Sequence, residues 1–385
     1  MVAVQYCATF LKPEMLHIYR QITGLAGYDP VIFTQKRENA ERFPFPDVRL
    51  FPKPGTHALR RVWRKQILGA PIQIYPSEAR RLQAGARTAN AALMHIYFGH
   101  IGVYLLPFLR IKQLPAIVSF HGADAMVDLD KSAHLEAARE MLGLADLVLA
   151  RSKSLVERIV SAGCDPGKIR VHRTGIPLDE LPFRRRAAAS GGWRFVQACR
   201  LIPKKGLATS LRAFARFARD FPDSSFVIAG EGPMLEDLRE LAAELGVGEK
   251  VKFAGFLSQA DLRALYYESQ IFLHPSEIGA DGNQEGVPNS MLEAMATGMP
   301  VIATRHGGIP EAVERGGVLV GEGENEAMAR AMLELARNPE RHAEMGLEAN
   351  REVSEKFELG AQIRALEGFY DEARARYGSA SPSSG

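Results

Sequence analysis

The chain has 385 residues, 46% of them hydrophobic and 24% charged, and a net charge of +3. It is too long for one ordinary hydrophobic core, so two globular domains are expected. No apolar run reaches the roughly 18 residues of a membrane span, and Cys7, Cys164 and Cys199 have neither CxxC nor metal spacing, which excludes a disulfide framework and fits a reducing cytoplasm.

The small net charge conceals an asymmetry. Residues 1–190 hold 27 Lys and Arg against 16 Asp and Glu, a balance of +11, and the remainder holds 21 against 29, a balance of −8. A basic half points to an anionic membrane surface or a phosphate-bearing acceptor, with an ordinary solvated surface as the alternative.

In chain order, MVAVQYCATF reads as a first buried strand without a basic leader or cleavage site. Residues 15–25 have helical spacing, and Asp29-Pro30 is expected to turn into a strand at Val31–Thr34. In HALRRVWRKQIL, residues 57–68, the side chains of Leu59, Val62, Trp63 and Ile67 share a stripe, with Arg60, Arg61, Arg64 and Lys65 mostly off it. Two readings fit: a basic helix lying on a membrane, or a core helix with a basic outer face. Arg80-Arg81 extends the patch.

The strand at 94–97 ends in a histidine-rich turn, and Ala116–Phe120 runs straight into His121-Gly122-Ala123-Asp124. Polar side chains just beyond the carboxyl end of a parallel strand face the ligand crevice of an open α/β sheet, which makes His121 a candidate. Asp128-Leu129-Asp130 follows no strand and is expected in a loop or helix start. Strand, helix and strand follow at 147–150, 152–162 and 169–171, then a linker at Thr174–Pro177 and Leu181–Phe183. The domain boundary is placed there, giving domains 1–183 and 184–360.

The second half restarts with a strand at Trp193–Ala198 that ends at Arg200-Leu201-Ile202-Pro203-Lys204-Lys205-Gly206. Arg200 and Lys205, five residues apart on a strand-to-helix loop, can converge on one diphosphate, while Lys204 is expected to be solvated. Gly230-Glu231-Gly232-Pro233 begins like a dinucleotide fingerprint, but the third glycine is absent and position 235 is Leu, so a NAD site is poorly supported. After the apolar run Gln270–Leu273, Gly279, Gly282, Gly286 and Pro288 force a loop. A helix resumes with Asn289-Ser290 as N-cap, placing Glu293 in its first turn and Glu285 just before it. The free N–H groups there favour an anion or a hydroxyl-rich ligand. Glu293 either complements the helix dipole or is a buried carboxylate that needs donors, which ligand hydroxyls would supply. Helices are expected at 326–337 and 361–377, followed by a disordered GSASPSSG tail at 378–385.

The segment DGNQEGVPNSMLEAMATGMPVIATRHGGIPE, with Glu285 and Glu293 separated by seven residues, resembles the nucleotide-sugar signature of retaining glycosyltransferases of family 4, closest to the colanic-acid and amylovoran type exopolysaccharide transferases. The resemblance implies the α/β GT-B fold: two Rossmann-like doubly wound domains facing a cleft, with the last helix crossing back to the first domain. It implies Arg200 and Lys205 as a diphosphate clamp, Glu293 as the ribose ligand and Glu285 as the hexose ligand. The amides near Gly286 and Gly308 would stabilise the leaving diphosphate, Val287, Pro288 and Asn289 would bind substrate, and Glu231, Gly232, Gly255 and Phe256 would border the base. His121, with Asp124, would lie beside the transferred sugar. The family's Gly-Gly loop after the first strand is replaced here by FLKPEML, with Glu14 as its carboxylate. The Asp128–Asp130 pattern is the metal motif of the other glycosyltransferase fold and is discounted.

The expected reaction is transfer of a hexose, with retention, from a nucleoside diphosphate sugar, UDP or GDP, to a saccharide acceptor carried on a lipid. No cofactor, no metal and no nucleic acid partner is expected, and an anionic membrane surface is. The rivals are a GT-B relative such as a sugar-nucleotide epimerase, and a non-catalytic, membrane-docked partner of a polysaccharide assembly complex.

Overall fold

The computed structural model describes residues 1–122, 131–186, 192–279 and 285–380. The chain divides into two compact units. The first is Met1–Gly175 joined by the last helix, Leu359–Ala380, and the second is Ile176–Glu358.

The first unit contains β1 (Val2–Phe10), β2 (Asp29–Arg37), β3 (Val48–Leu50), β4 (Ala91–Tyr97), β5 (Ala116–Phe120), β6 (Leu147–Ala150) and β7 (Ile169–Val171), ordered β3-β2-β1-β4-β5-β6-β7 in one parallel sheet. The second contains β8 (Arg194–Ala198), β9 (Ser225–Ala229), β10 (Val251–Gly255), β11 (Ile271–His274), β12 (Val301–Thr304) and β13 (Gly317–Val320), ordered β10-β9-β8-β11-β12-β13, again parallel. Helices cover the faces of such sheets, so their strands read as apolar runs rather than alternations. Every residue of β6, β11 and β12 is buried.

In each sheet the strand order reverses once, between β1 and β4 and between β8 and β11. Loops leaving the carboxyl ends on either side of such a reversal part in opposite directions and open a crevice, which is where ligands bind in this class of sheet.

Three expectations are corrected. Asp29 and Pro30 do not turn; they open β2, opposite Val2 and Ala3. Proline is tolerated there because it is near the strand's start. The division falls at Gly175/Ile176 rather than 183/184, because Ile176 donates to Phe357 O at 2.7 Å and Leu181 is buried in the core of the second unit. The last helix continues through Gly378 and Ser379, whose hydroxyl donates to Arg376 O at 2.8 Å. Residues 381–385 lie outside the described residues.

The last helix is built into the first unit by polar contacts. The Tyr370 hydroxyl lies 2.9 Å from His95 Nδ1 and donates to Gln5 Oε1 at 3.2 Å, Glu367 Oε1 accepts the Ala26 and Gly27 N–H groups at 2.7 Å each, and Glu372 pairs with Arg170 at 2.6 Å.

Candidate active site

The carboxyl edge of the second sheet gathers most of the sequence-selected residues. Two loops leave neighbouring strands at the β8/β11 reversal, Cys199–Gly206 and the one that begins at Pro275. They touch backbone to backbone: Glu277 N–H donates to Lys204 O at 2.9 Å, and a Cβ on Gly206, whose φ is +60°, would stand 1.7 Å from Pro275 O. Only glycine fits that contact and that conformation. Gln197 fixes the clamp loop from beneath, donating to Lys205 O at 2.9 Å while accepting from Ser210 Oγ at 2.6 Å.

The consequence is a buried charge cluster. Lys205 Nζ lies 2.8 Å and Lys204 Nζ 3.1 Å from Glu285 Oε1. Burial pushes the Glu285 carboxyl up, but the ammonium groups of Lys205 and then Lys204 outweigh it and hold the group at about 2. Lys204 is thus no solvated bystander, as the spacing suggested, but the second cation on a carboxylate that could not be buried ionised with less compensation. Arg200 is exposed, and its side chain makes no ion pair or hydrogen bond among the described residues.

Sequence reasoning missed two residues that hold Glu285 in place. The Glu285 N–H donates to His306 Nε2 at 2.9 Å, so the ring proton resides on Nδ1, which donates to Glu322 Oε1 at 2.7 Å. Glu322 Oε2 accepts the Ile278 N–H at 2.9 Å. A Cβ at Gly307, where φ is +52°, would sit 2.1 Å from Glu285 O. His306 lies in the quoted signature and was available as a signal; Glu322 had none.

The helix after the loop spans Asn289–Ala296 with Pro288 as N-cap, and no side chain caps it. The anticipated cap Ser290 lies inside the helix and donates to Ala198 O, the end of β8, at 2.7 Å. The N–H groups of the first turn are therefore open to a ligand. Glu293 falls at the fifth helical position rather than in the first turn, which contains no acidic residue. It is buried beside Tyr266, whose hydroxyl is pushed up by burial and then by the Glu293 charge. Complementing the dipole is thus not its role.

The remaining residues line the same edge. Cβ atoms on Gly230 and Gly232 would stand 1.9 Å from Cys199 O and 2.3 Å from Leu201 O, and the main-chain carbonyl of Glu231, whose side chain is exposed, accepts the Leu201 N–H at 2.8 Å. Gly255 O accepts the Gly230 N–H at 2.7 Å, and Phe256 next to it is 56% exposed. Gly286 and Val287 are half-buried, and Gly308 starts the short helix Ile309–Ala312.

In the first unit His121 follows β5. Its Nε2 is 3.0 Å from Ser119 Oγ, and its ring is 4.7 Å from Phe98 and 5.8 Å from His17. Burial, and then Arg151, hold it well below the ordinary histidine range, so near neutrality it acts as an uncharged hydrogen-bonding group. Phe98 has φ 76°, rare for a side chain of that size. Asp124 and the Asp128–Asp130 pattern lie outside the described residues. Glu14 is exposed in the short turn Pro13–Met15.

The basic segment is a helix, His57–Val62, that runs into a single wider turn, Trp63–Ile67. Its apolar stripe faces outward: Leu59, Val62, Trp63, Ile67 and Leu68 are 74%, 48%, 55%, 60% and 53% exposed. Arg60 turns inward, pairs with Glu78 and lies 4.3 Å over the Tyr75 ring. The core-helix reading is overturned, and Arg60 leaves the surface patch. Among the described residues no helix is long and apolar enough to cross a membrane.

Two parallel, doubly wound sheets, the second with its charged and amide donors gathered at a strand reversal, define the GT-B class of glycosyltransferases. The description "Glycosyltransferase Family 4" matches residues 16–180, and "Glycosyl transferases group 1" matches residues 181–352. The amylovoran biosynthesis glycosyltransferase AmsK of Erwinia amylovora is 30% identical, over 74% of this chain and 70% of its own. A GDP-mannose-dependent alpha-(1-6)-phosphatidylinositol monomannoside mannosyltransferase of Mycolicibacterium smegmatis is 31% identical, over 76% of this chain and 71% of its own. The crystal structure of Anabaena HepE with UDP shares the fold at a TM-score of 0.78 and 18% identity, covering 96% of this chain and 99% of that one. The chain belongs to glycosyltransferase family 4.

Proposed function

We propose that the protein transfers a hexose from a nucleoside diphosphate sugar, with retention and without a metal ion, to a lipid-linked saccharide of a cell-surface or exopolysaccharide glycan, working at the cytoplasmic face of a membrane. The observation that carries this reading is the juxtaposition of Lys205, Lys204 and Glu285 with the uncapped start of the Asn289–Ala296 helix.

The chemistry has two opposite charges to manage, since a diphosphate leaves while the sugar becomes oxocarbenium-like. Arg200, Lys205 and the open helix amides offer positive charge to the leaving group where its own charge grows, which is how preorganised donors lower a barrier. Glu285, ionised down to about pH 2, is too weak a base to take a proton efficiently near neutrality. It serves as a fixed anion for the hexose. Glu293 holds the ribose, and the neutral His121 bonds the transferred sugar. Arg61, Lys65 and the outward stripe of Trp63 and Ile67 seat the first unit on an anionic membrane. The AmsK relative is a glycosyltransferase of amylovoran biosynthesis, and the mycolicibacterial relative is a phosphatidylinositol monomannoside mannosyltransferase; the second supports a lipid-linked saccharide acceptor.

The test is a panel of UDP and GDP sugars with bacterial membrane extract as acceptor, following released nucleotide and the anomeric configuration of the product. Nucleotide release that survives EDTA and yields a retained linkage supports the reading. A strict, reversible Mg²⁺ or Mn²⁺ requirement, an inverted linkage, or epimerised donor without transfer would overturn it.

A further inference from the structure

The first unit contains a cavity of about 520 Å³ that the site described above leaves unused. It opens at the carboxyl edge of the first sheet: Ala8 lies on β1, Gly99 and His100 follow β4 after one intervening residue, and Phe120 ends β5. These strands flank the β1/β4 reversal, the ligand position of such a sheet. The volume is that of a ligand site and far exceeds the voids left in a packed interior.

Its lining has two chemistries. The walls are apolar, with Ile101, Val103, Phe120, Met141, Leu142 and Ile159 drawn from three helices and a strand. Two of its polar groups are turned to protein partners: Gln35 Nε2 donates to Tyr6 Oη at 3.2 Å, and Tyr104 Oη accepts from Arg60 at 3.4 Å. Lys53, Arg61 and Lys65 also line it, and no carboxylate does among the described residues. Arg61 and Lys65 belong to the segment whose Leu59, Val62, Trp63 and Ile67 face outward. One segment therefore carries an apolar side open to the surroundings and, at the exposed rim of the cavity, two cations.

We infer that this cavity takes the apolar chain of a phosphate-bearing lipid, with Lys53, Arg61 and Lys65 on the phosphate.

The experiment titrates the full chain with alkyl phosphates of increasing length, kept below their micelle concentrations, with matching alkanols and inorganic phosphate as controls, by calorimetry. Affinity is expected to rise about fourfold per methylene, from about 0.8 kcal/mol each, until the cavity is full, with no binding of inorganic phosphate alone. Replacing Arg61 and Lys65 by Ser should weaken alkyl phosphates about tenfold and leave alkanols unchanged. Ala138→Trp and, independently, Val103→Trp should abolish the length dependence while the variants melt cooperatively like the parent. Binding that is indifferent to chain length, or a length dependence that survives both tryptophans, overturns the cavity. Displacement of bound decyl phosphate by dihexanoyl phosphatidylglycerol at equal concentration would assign the site to a two-chain phospholipid, and failure to displace it to a single-chain lipid phosphate. Length-dependent binding without turnover of any nucleotide sugar would refute the transferase reading and keep the cavity, and turnover with length-independent binding would do the reverse.

Discussion

Around the edge of the first sheet four buried histidines are kept neutral, whereas the edge of the second has one such histidine, His274, beside a carboxylate kept ionised by two lysines. His17 and His172 are lowered to about 3 by burial and then by Arg151, and His95 and His121 move the same way. In the second unit burial and then Lys205 lower His274 to about 3, but Glu285 is held down at about 2 by its lysines. A neutral ring costs little to bury at pH 7 and becomes a liability in acid. An ion pair demands good geometry and then tolerates acid until its carboxylate protonates.

The largest expected effect tests this contrast directly. A histidine with a folded value of about 3 and an unfolded value of 6.5 binds more protons when unfolded between those limits, so its stability contribution is full above pH 6.5 and falls as pH drops. Each should cost about 2 kcal/mol by pH 5, roughly 4 kcal/mol for His17 and His172 together. For Glu285 the folded value lies below the ordinary 4.5, so its contribution persists above pH 4.5 and is lost only toward pH 2. Urea unfolding at pH 7.5, 6 and 5 should show the first unit failing first, and simultaneous loss of both units would break the comparison.

Next in size is the division of labour between the two glutamates. Glu285→Gln should lower kcat by two to three orders of magnitude, about 3–4 kcal/mol, with nucleotide affinity retained, because it touches the part of the donor whose charge changes. Glu293→Gln should chiefly raise the donor KM, since ribose hardly changes on the way to the transition state. Steady-state kinetics with the reverse pattern would exchange the two roles.

Lys205→Ala removes a charge-assisted contact worth about 1.5–3 kcal/mol and should weaken nucleoside diphosphate binding about tenfold or more in calorimetry. It also leaves Glu285 to Lys204 alone, so the variant should melt lower than the parent. Unchanged affinity would remove Lys205 from the diphosphate site.

The smallest effect concerns the basic segment. Replacing Arg61 and Lys65 by Ser should cost about 1 kcal/mol per charge in binding to anionic vesicles and weaken it most at low salt. Trp63→Ser should weaken binding to neutral and anionic vesicles alike. Co-sedimentation that is equal for neutral and anionic vesicles in the parent would reject the electrostatic contribution.

The architecture was legible because parallel strands announce themselves as apolar runs between helical patterns, and the meeting of Lys205 with Glu285 at one sheet edge agrees with their places on the two strand-exit loops. What escaped was whatever a tertiary contact decides. Periodicity shows that residues 57–68 have an apolar side but not which side faces the protein, and here Glu78 and Tyr75 draw Arg60 inward. Lys204 looked like a spare cation because its partner lies 81 residues away in the chain. Glu322 meets His306 across the exits of β12 and β13, a pairing with no local pattern. Ser290 reads as a cap but serves as a tie to β8, because Pro288 already gives the chain its extended entry to the helix.

The contact between Gly307 and the Glu285 carbonyl bears on how such enzymes can be recombined. A Cβ at position 307 would lie 2.1 Å from that oxygen, and the next ring back, His306, receives the same residue's N–H. The loop bearing Glu285 and the turn bearing His306-Gly307 are therefore matched surfaces, cut from two places in the chain. A chimera that imports the first without the second would put a foreign side chain against a main-chain atom, so the heritable module for donor handling is the pair, and crossovers between them select against themselves.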